Sequence, residues 1–403
     1  MSITLYRLSP FHPLAKYPGP VLARITRFWA TRHAIGGSQN RVSHELFERY
    51  GDVVRTGPNH LIIRNASAIP VVLGAKNPWP KHTRKSWAPL CFRRGILMDG
   101  GIGYSVVQPF NSSGNLLNII SPAEHSKRRK VWDRAFTPAA IKSYEEPLQS
   151  RVAELLGEFG GRLGQPLDLA GWFGFFSLDF MGDFAYGRNG IFSSMAHGAD
   201  HTGAHHGGVR LLSTVETVGT MPWLRPLLLP VFNLLPSNGF QVLARSAVAT
   251  RMKKGSQFRD LFSHLVRHTH HSPVIRSHLA WQLNEDGEGG HPPLSIPTLG
   301  GEAGLAILAG SDTTGTALAN AMYYLITHPE SMVRLRAELD AAAGEGAAYD
   351  VDIDADKLAE LKYLQAVISE TLRLQPAIPN GVQRTPPSEG GDAIVAGQYA
   401  TLL

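Results

Sequence analysis

One stretch of this chain breaks an otherwise apolar helical pattern with small and polar residues: Ala309-Gly310-Ser311-Asp312-Thr313-Thr314, inside GLAILAGSDTTGTALANAMYYLITHPE. A carboxylate and a hydroxyl on adjacent residues can hand a proton to a bound ligand, and a glycine beside them lets something flat approach the backbone. The stretch is costly for a helix. Gly310 gives up roughly 1 kcal/mol relative to alanine, and Asp312 and Thr313 compete for backbone hydrogen bonds. Two uses would account for that cost: a ligand site, or a close helix crossing with capped polar groups. The residues alone leave both open.

Two further segments carry groups with chemical potential. In EHSKRRKVWDRAFTP (124–138), helical spacing puts His125, Arg129, Trp132 and Phe136 on one face and Lys127, Lys130 and Arg134 on another. The first face suits a ligand with carboxylates on an apolar body; the second reads as a solvated or docking face. In LKYLQAVISETLRLQP (361–376), Leu364, Val367, Ile368 and Leu372 mark one buried stripe, and Glu370 and Arg373 stand three residues apart. Alone, that pair reads as a surface ion pair worth little.

The elements that must position these groups are mostly helical. Helical signals run over about 122–160, 167–187, 238–270, 295–327, 330–343 and 356–375. The long central helix is expected to open after Ser295, with Pro297 in its first turn, and to stop before His328-Pro329. Upstream, SHELFERYG reads as a helix with a glycine stop, and VVRTGPNHLIIRN as a hairpin around Gly57-Pro58-Asn59. Residues 79–118 are rich in turn formers, and the tail after Pro376 turns to short β-like pieces such as AIVAG. The expected architecture is mainly α with one small β-sheet (α+β), formed from both ends of a single domain over 1–403.

Composition removes several classes. A chain of 403 residues with 43% hydrophobic and 18% charged residues is globular, without internal repeats. Thirty-nine basic against 33 acidic residues is a mild excess, and no basic–aromatic interleaving marks a nucleic-acid binder. The single cysteine, Cys91, excludes an intrachain disulfide and any multi-thiolate zinc site. The histidine-rich stretches 196–208 and 267–271 read as solvated loops, since glycines surround His201 and His205 and no zinc-protease glutamate accompanies them; no metal ligand is assigned. No apolar run of eighteen residues exists, although the proline-broken segment 221–236, MPWLRPLLLPVFNLLP, can equally form a core-facing loop or dip into a membrane interface.

The three chemical segments, in this order, resemble the cytochrome P450 family of haem-thiolate monooxygenases. Its marks are the A-G-x-D-T-T helix, the E-x-x-R helix, the intervening HPE..RLR.EL stretch (328–339) and the HSKRRKVWDRAFTP region. FHPLAKYPGP and ETLRLQPAIPNGVQRTPP look particularly like fungal microsomal members. The resemblance covers about Phe11 to Gly397 and implies that fold, together with haem as cofactor and an NADPH-dependent reductase as electron donor. It implies insertion of one oxygen atom of dioxygen into a small apolar substrate, at the endoplasmic reticulum membrane surface.

By position in these motifs, Asp312 and Thr313 would relay protons and Gly310 would leave room for oxygen. His125, standing where the family usually has tryptophan, would hold haem propionates with Arg129 and Arg384. Glu370 and Arg373 would be structural, and Lys127, Lys130 and Arg134 would face the electron donor. The family's F-x-x-G-x-R-x-C-x-G ligand loop does not occur in these 403 residues, and Cys91, in KSWAPLCFRRG, does not match it. The expectation is therefore a body truncated before its axial ligand, cytoplasmic or peripheral to a membrane, and by itself inactive. The rival reading is a non-catalytic interaction protein using the same helical body and basic face.

Overall fold

In the computed structural model the described residues are 3–35, 38–74, 115–119, 121–188, 192–200, 238–254, 260–265, 296–343, 355–378, 384, 393–395 and 398–400. Cys91, the 221–236 segment, His201, His205 and residues 267–271 lie outside them. The chain divides into two compact units, one of 1–125, 210–235 and 380–403, the other of 126–209 and 236–379.

The first unit contains α1 (Ile3–Leu8), α2 (Val21–Ile25), α3 (Phe28–Ile35), α4 (Gln39–Tyr50), β1 (Val53–Gly57), β2 (His60–Ile63) and α5 (Ala68–Val72). Helix α4 ends at Gly51, whose φ of +88° only glycine adopts cheaply. The hairpin forms around Pro58 as its turn residues require, pairing Val53 with Ile63 and Arg55 with Leu61. A second antiparallel pair, Ala393–Val395 with Gln398–Ala400 (β3, β4), belongs to the same unit. The one sheet expected from both chain ends is thus two separate hairpins among the described residues.

The second unit is helical, and α6 (Pro122–Asp133) crosses into it. It continues with α7 (Pro138–Lys142), α8 (Glu145–Gly160), α9 (Leu169–Tyr186), α10 (Ser194–His197), α11 (Asn238–Lys254) and α12 (Leu261–Leu265). It ends with the 32-residue α13 (Ile296–Thr327), then α14 (Pro329–Ala343), α15 (Ala355–Glu360) and α16 (Lys362–Leu374). The single helix expected over 122–160 is broken because Thr137 is extended ahead of Pro138, and its hydroxyl accepts the Ala140 N–H at 3.3 Å as a new cap. Leu361 is likewise extended and splits the 356–375 segment.

Helix α9 (GWFGFFSLDFMGDFAY within it) is buried along most of its length and packs on α13. The contact uses backbone: a Cβ on Gly315 would meet the Phe173 carbonyl oxygen at 3.1 Å and Gly174 Cα at 3.2 Å. Trp172, Phe173 and Phe176 of α9 join Leu155 and Met195 in a core that Leu318 and Met322 of α13 complete. Between α8 and α9, Arg151 donates bidentately to Asp183 at 2.8 and 3.0 Å. The fully buried Asp179 accepts the Ser194 and Met195 N–H groups at 2.8 and 2.9 Å, capping α10 from another helix. Burial pushes its carboxyl above the ordinary aspartate range, against the pull of those two donors.

Candidate active site on the central helix

Positions 302, 309, 313 and 320 lie close to one face of α13 at about 100° per residue, opposite the side that packs on α9. Both ends of this face are tied. Glu302, with no solvent exposure, accepts Arg128 Nη1 at 2.8 Å and Trp132 Nε1 at 3.2 Å from α6. Asn320 donates from Nδ2 to the Gln375 carbonyl, just past α16, at 3.4 Å. Between the ties Ala309 is exposed and Asp312 and Thr313 are half-buried, so the middle of the helix offers small side chains to whatever lies against it. The Thr313 hydroxyl donates to the Ala309 carbonyl at 2.7 Å, one turn back. Its oxygen keeps lone pairs free to accept a further proton donor.

Gly310 is turned toward α9, where a Cβ would come within 2.4 Å of Met181 Cε. The glycine therefore serves the helix crossing directly, while Ala309, Asp312, Thr313 and Thr314 keep solvent exposure. Ser311 is buried and returns its hydroxyl to the Ile307 carbonyl at 2.7 Å. This is the capped polar group that a close crossing requires.

Helix α6 differs from its sequence reading in which residue goes inward. Arg128, Val131 and Trp132 are buried, while Lys127, Arg129 and Lys130 are exposed and His125 is half-buried. Arg129 donates to Asp133 at 2.5 Å in an exposed i,i+4 pair. Phe136 is exposed and stacks on Trp132 with centroids 6.3 Å apart. The Arg128–Trp132–Glu302 cluster went unread, although a glutamate inside TLGGEAGLAIL signals a buried partner. Arg384 is half-buried at an isolated β-bridge of the first unit.

Glu370 and Arg373 form a bidentate pair at 2.6 and 2.7 Å, with side chains 56% and 67% exposed. The hydrogen bond and charge of Arg373 hold the Glu370 carboxyl below its ordinary range. The stripe expected on this helix is shifted: Leu364 and Val367 are half-buried and Thr371 is buried, whereas Ile368 and Leu372 are exposed. Among the described residues α16 packs against α13, α14 and α15. Among the described residues no group of three or more His, Cys, Asp or Glu side chains gathers to hold a metal, and no helix is long and apolar enough to cross a membrane.

The family model for cytochrome P450 matches residues 104–397, which include every site residue discussed above. This chain belongs to the cytochrome P450 family. It is 33% identical to the cytochrome P450 monooxygenase FCK2 of Fusarium pseudograminearum, over 97% of this chain and 63% of that protein. It is 32% identical to cytochrome P450 67 of Uromyces fabae, over 99% and 66%. With the tryprostatin B 6-hydroxylase of Aspergillus fumigatus the identity is 30%, over 96% and 62%. The chain spans just under two thirds of the length of these relatives.

Proposed function

We propose that this chain is the oxygen-facing body of a haem-dependent monooxygenase acting on a small apolar substrate, with electrons supplied by an NADPH-dependent reductase. One observation carries the reading: the open Ala309–Thr313 face of a central helix tied at both ends, inside the region matched to the family. The donor chemistry fits haem. Ala309 and Thr313 put only small side chains on the open part of α13, and Arg129 is a donor suited to a propionate, as His125 and Arg384 are by their chemistry alone. Bound haem supplies the iron at which dioxygen is reduced.

This chain's residues then have separable tasks. Arg129, exposed and paired with Asp133 among the described residues, can exchange that carboxylate for a propionate. Thr313 holds a proton between Oγ1 and the Ala309 carbonyl, and Asp312 resupplies it from solvent. Lys127 and Lys130, both exposed on α6, offer a positive face to an acidic electron donor. Glu370 and Arg373, paired on the exposed side of α16, have no part in the chemistry. Seating at the endoplasmic reticulum surface belongs to the same proposal. Among these 403 residues no cysteine matches the family's thiolate-ligand motif, and Cys91 is the one thiol the test below has to examine.

The test is haem titration of the purified chain, followed by reduction and carbon monoxide. Saturable haem uptake, weakened in Arg129→Gln and without a thiolate-type band, is expected. A thiolate band lost in Cys91→Ala would move the axial ligand to Cys91, and failure to take up haem in any form would remove the cofactor from this chain. In the complete enzyme, Thr313→Ala should divert electrons to peroxide while substrate still binds; unchanged coupling would take Thr313 out of the proton path.

A further inference from the structure

The first unit gathers positive charge that no carboxylate answers among the described residues. Arg55, on β1, is 1% exposed. Its Nε donates to the carbonyls of Gly57 and Pro58 at 3.3 and 3.2 Å, and its Nη2 to Pro58 at 2.8 Å. The same Nη2 lies 3.3 Å from His12 Nε2. Burial, with Arg24 and Arg7 nearby, pulls the Arg55 guanidinium down to about 10. Arg7 donates to the Ile25 carbonyl at 2.6 Å. The Nε atoms of Arg24 and Arg27 are buried without a hydrogen-bond partner. Arg27 lies over the hairpin turn, its Nη1 3.9 Å from where a Cβ on Gly57 would stand. Glu48 and Asp52, on α4 and the turn after it, are engaged by Arg64.

Gathering guanidinium groups this way is unfavourable by itself. Like charges repel, and a buried N–H without a partner costs about 1–3 kcal/mol. The arginine fork matches tetrahedral oxyanions, which would neutralise the charge and take up the unused donors at once.

We propose that Arg7, Arg24 and Arg27, with the buried Arg55 adding its charge from behind, form a binding site for a phosphate-type oxyanion. Two sources carry that chemistry: a free phosphate or small phosphate ester, and the phosphate of a lipid headgroup. The second gains from the setting, since Phe11, Val21, Leu22 and Phe28 are exposed by 81%, 60%, 63% and 52% on the same segments and can enter a membrane interface.

The experiment uses the full 403-residue chain in chloride buffer, with inorganic phosphate added at constant ionic strength. Binding is read by calorimetry and by the melting temperature. Flotation with vesicles of phosphatidylcholine, with and without phosphatidic acid, is read in parallel. Saturable binding that raises the melting temperature is expected, because a ligand held only by the folded state stabilises it. Arg24→Gln and Arg27→Gln should each weaken it roughly ten-fold or more, the equivalent of one lost charge-assisted hydrogen bond. Arg41→Gln, on the exposed side of α4, should not. Phosphate binding without vesicle preference supports the site with a free anion as ligand; vesicle preference without phosphate binding supports it with a headgroup. Neither signal, or equal loss in Arg41→Gln and Arg27→Gln, would overturn the proposal. Should the glutamine variants not fold, the wild-type titration and Arg27→Lys, which keeps the charge but loses the fork, decide it.

Discussion

Replacing Glu302 with glutamine keeps the side chain's shape and removes its charge, leaving Arg128 to face a neutral amide at the present 2.8 Å. Glu302 has no solvent exposure and the Arg128 side chain is 11% exposed, so water cannot make good the loss. Removing one partner of a buried ion pair costs about 3–5 kcal/mol. For a unit of this size, where each kcal/mol shifts the midpoint by about 2–4 °C, the melting temperature should fall by roughly 6–20 °C. Replacing both partners tests the reasoning more sharply. Glu302→Leu with Arg128→Leu removes both desolvation penalties and leaves only the Trp132 Nε1 donor unmet, so the double variant should lose less than either single leucine variant. Thermal and urea unfolding of wild type, Glu302→Leu, Arg128→Leu and the double variant, closed as a double-mutant cycle, gives the coupling energy. A single-variant loss below about 1 kcal/mol would refute the claim that this pair is buried, since that is the range of solvated pairs. Purely additive losses would refute the claim that Arg128 and Glu302 act together.

Three other outcomes follow from named contacts. Gly315→Ala should destabilise by about 1–3 kcal/mol, because its new methyl presses on α9 backbone, whereas Gly310→Ala meets the flexible end of Met181, regains helix propensity, and should change stability little; equal losses in urea unfolding would contradict this. His12 is held below its ordinary 6.5 by burial and by Arg55 and Arg7, against a hydrogen bond to Asn59, while Leu14 donates to its Nδ1 at 3.1 Å. The unfolded chain therefore binds the extra proton first, so His12's contribution is complete above pH 6.5 and is lost as pH falls through the lower folded value; unfolding free energy against pH should flatten there in His12→Gln, and an unchanged slope would refute it. Glu370→Ala should leave the melting temperature unchanged because its pair with Arg373 is exposed, and a clear drop would show a buried partner.

Much of the helical frame was legible in local chemistry. The central helix was expected over 295–327 and occupies Ile296–Thr327, because Pro297 suits a first turn and His328-Pro329 prevents continuation. The hairpin at Gly57-Pro58-Asn59 and the Gly51 stop were readable for the same reason. What escaped depends on partners far away in the chain. Arg128 falls on neither of the two faces read in 124–138, yet it is buried against a glutamate 174 residues on. Ile368 and Leu372 fit an amphipathic stripe, but among the described residues it is Leu364, Val367 and Thr371 that are covered instead. Gly310 admitted two readings from sequence, and only the position of Met181 shows which neighbour its missing side chain admits.

The ties at Glu302 and Asn320 also constrain what evolution can do between them. They stand eighteen residues apart, five turns of helix, on one side of the rod. An inserted or deleted residue within that span would rotate everything beyond it by about 100°, taking either Asn320 off Gln375 or Glu302 off α6, and swinging Thr313 away from Ala309's open side. Change there is confined to substitution at constant length. Variation in chain length among relatives must accumulate elsewhere, so the spacing from Glu302 to Asn320 works as a ruler by which a related sequence can be aligned even where its residues differ.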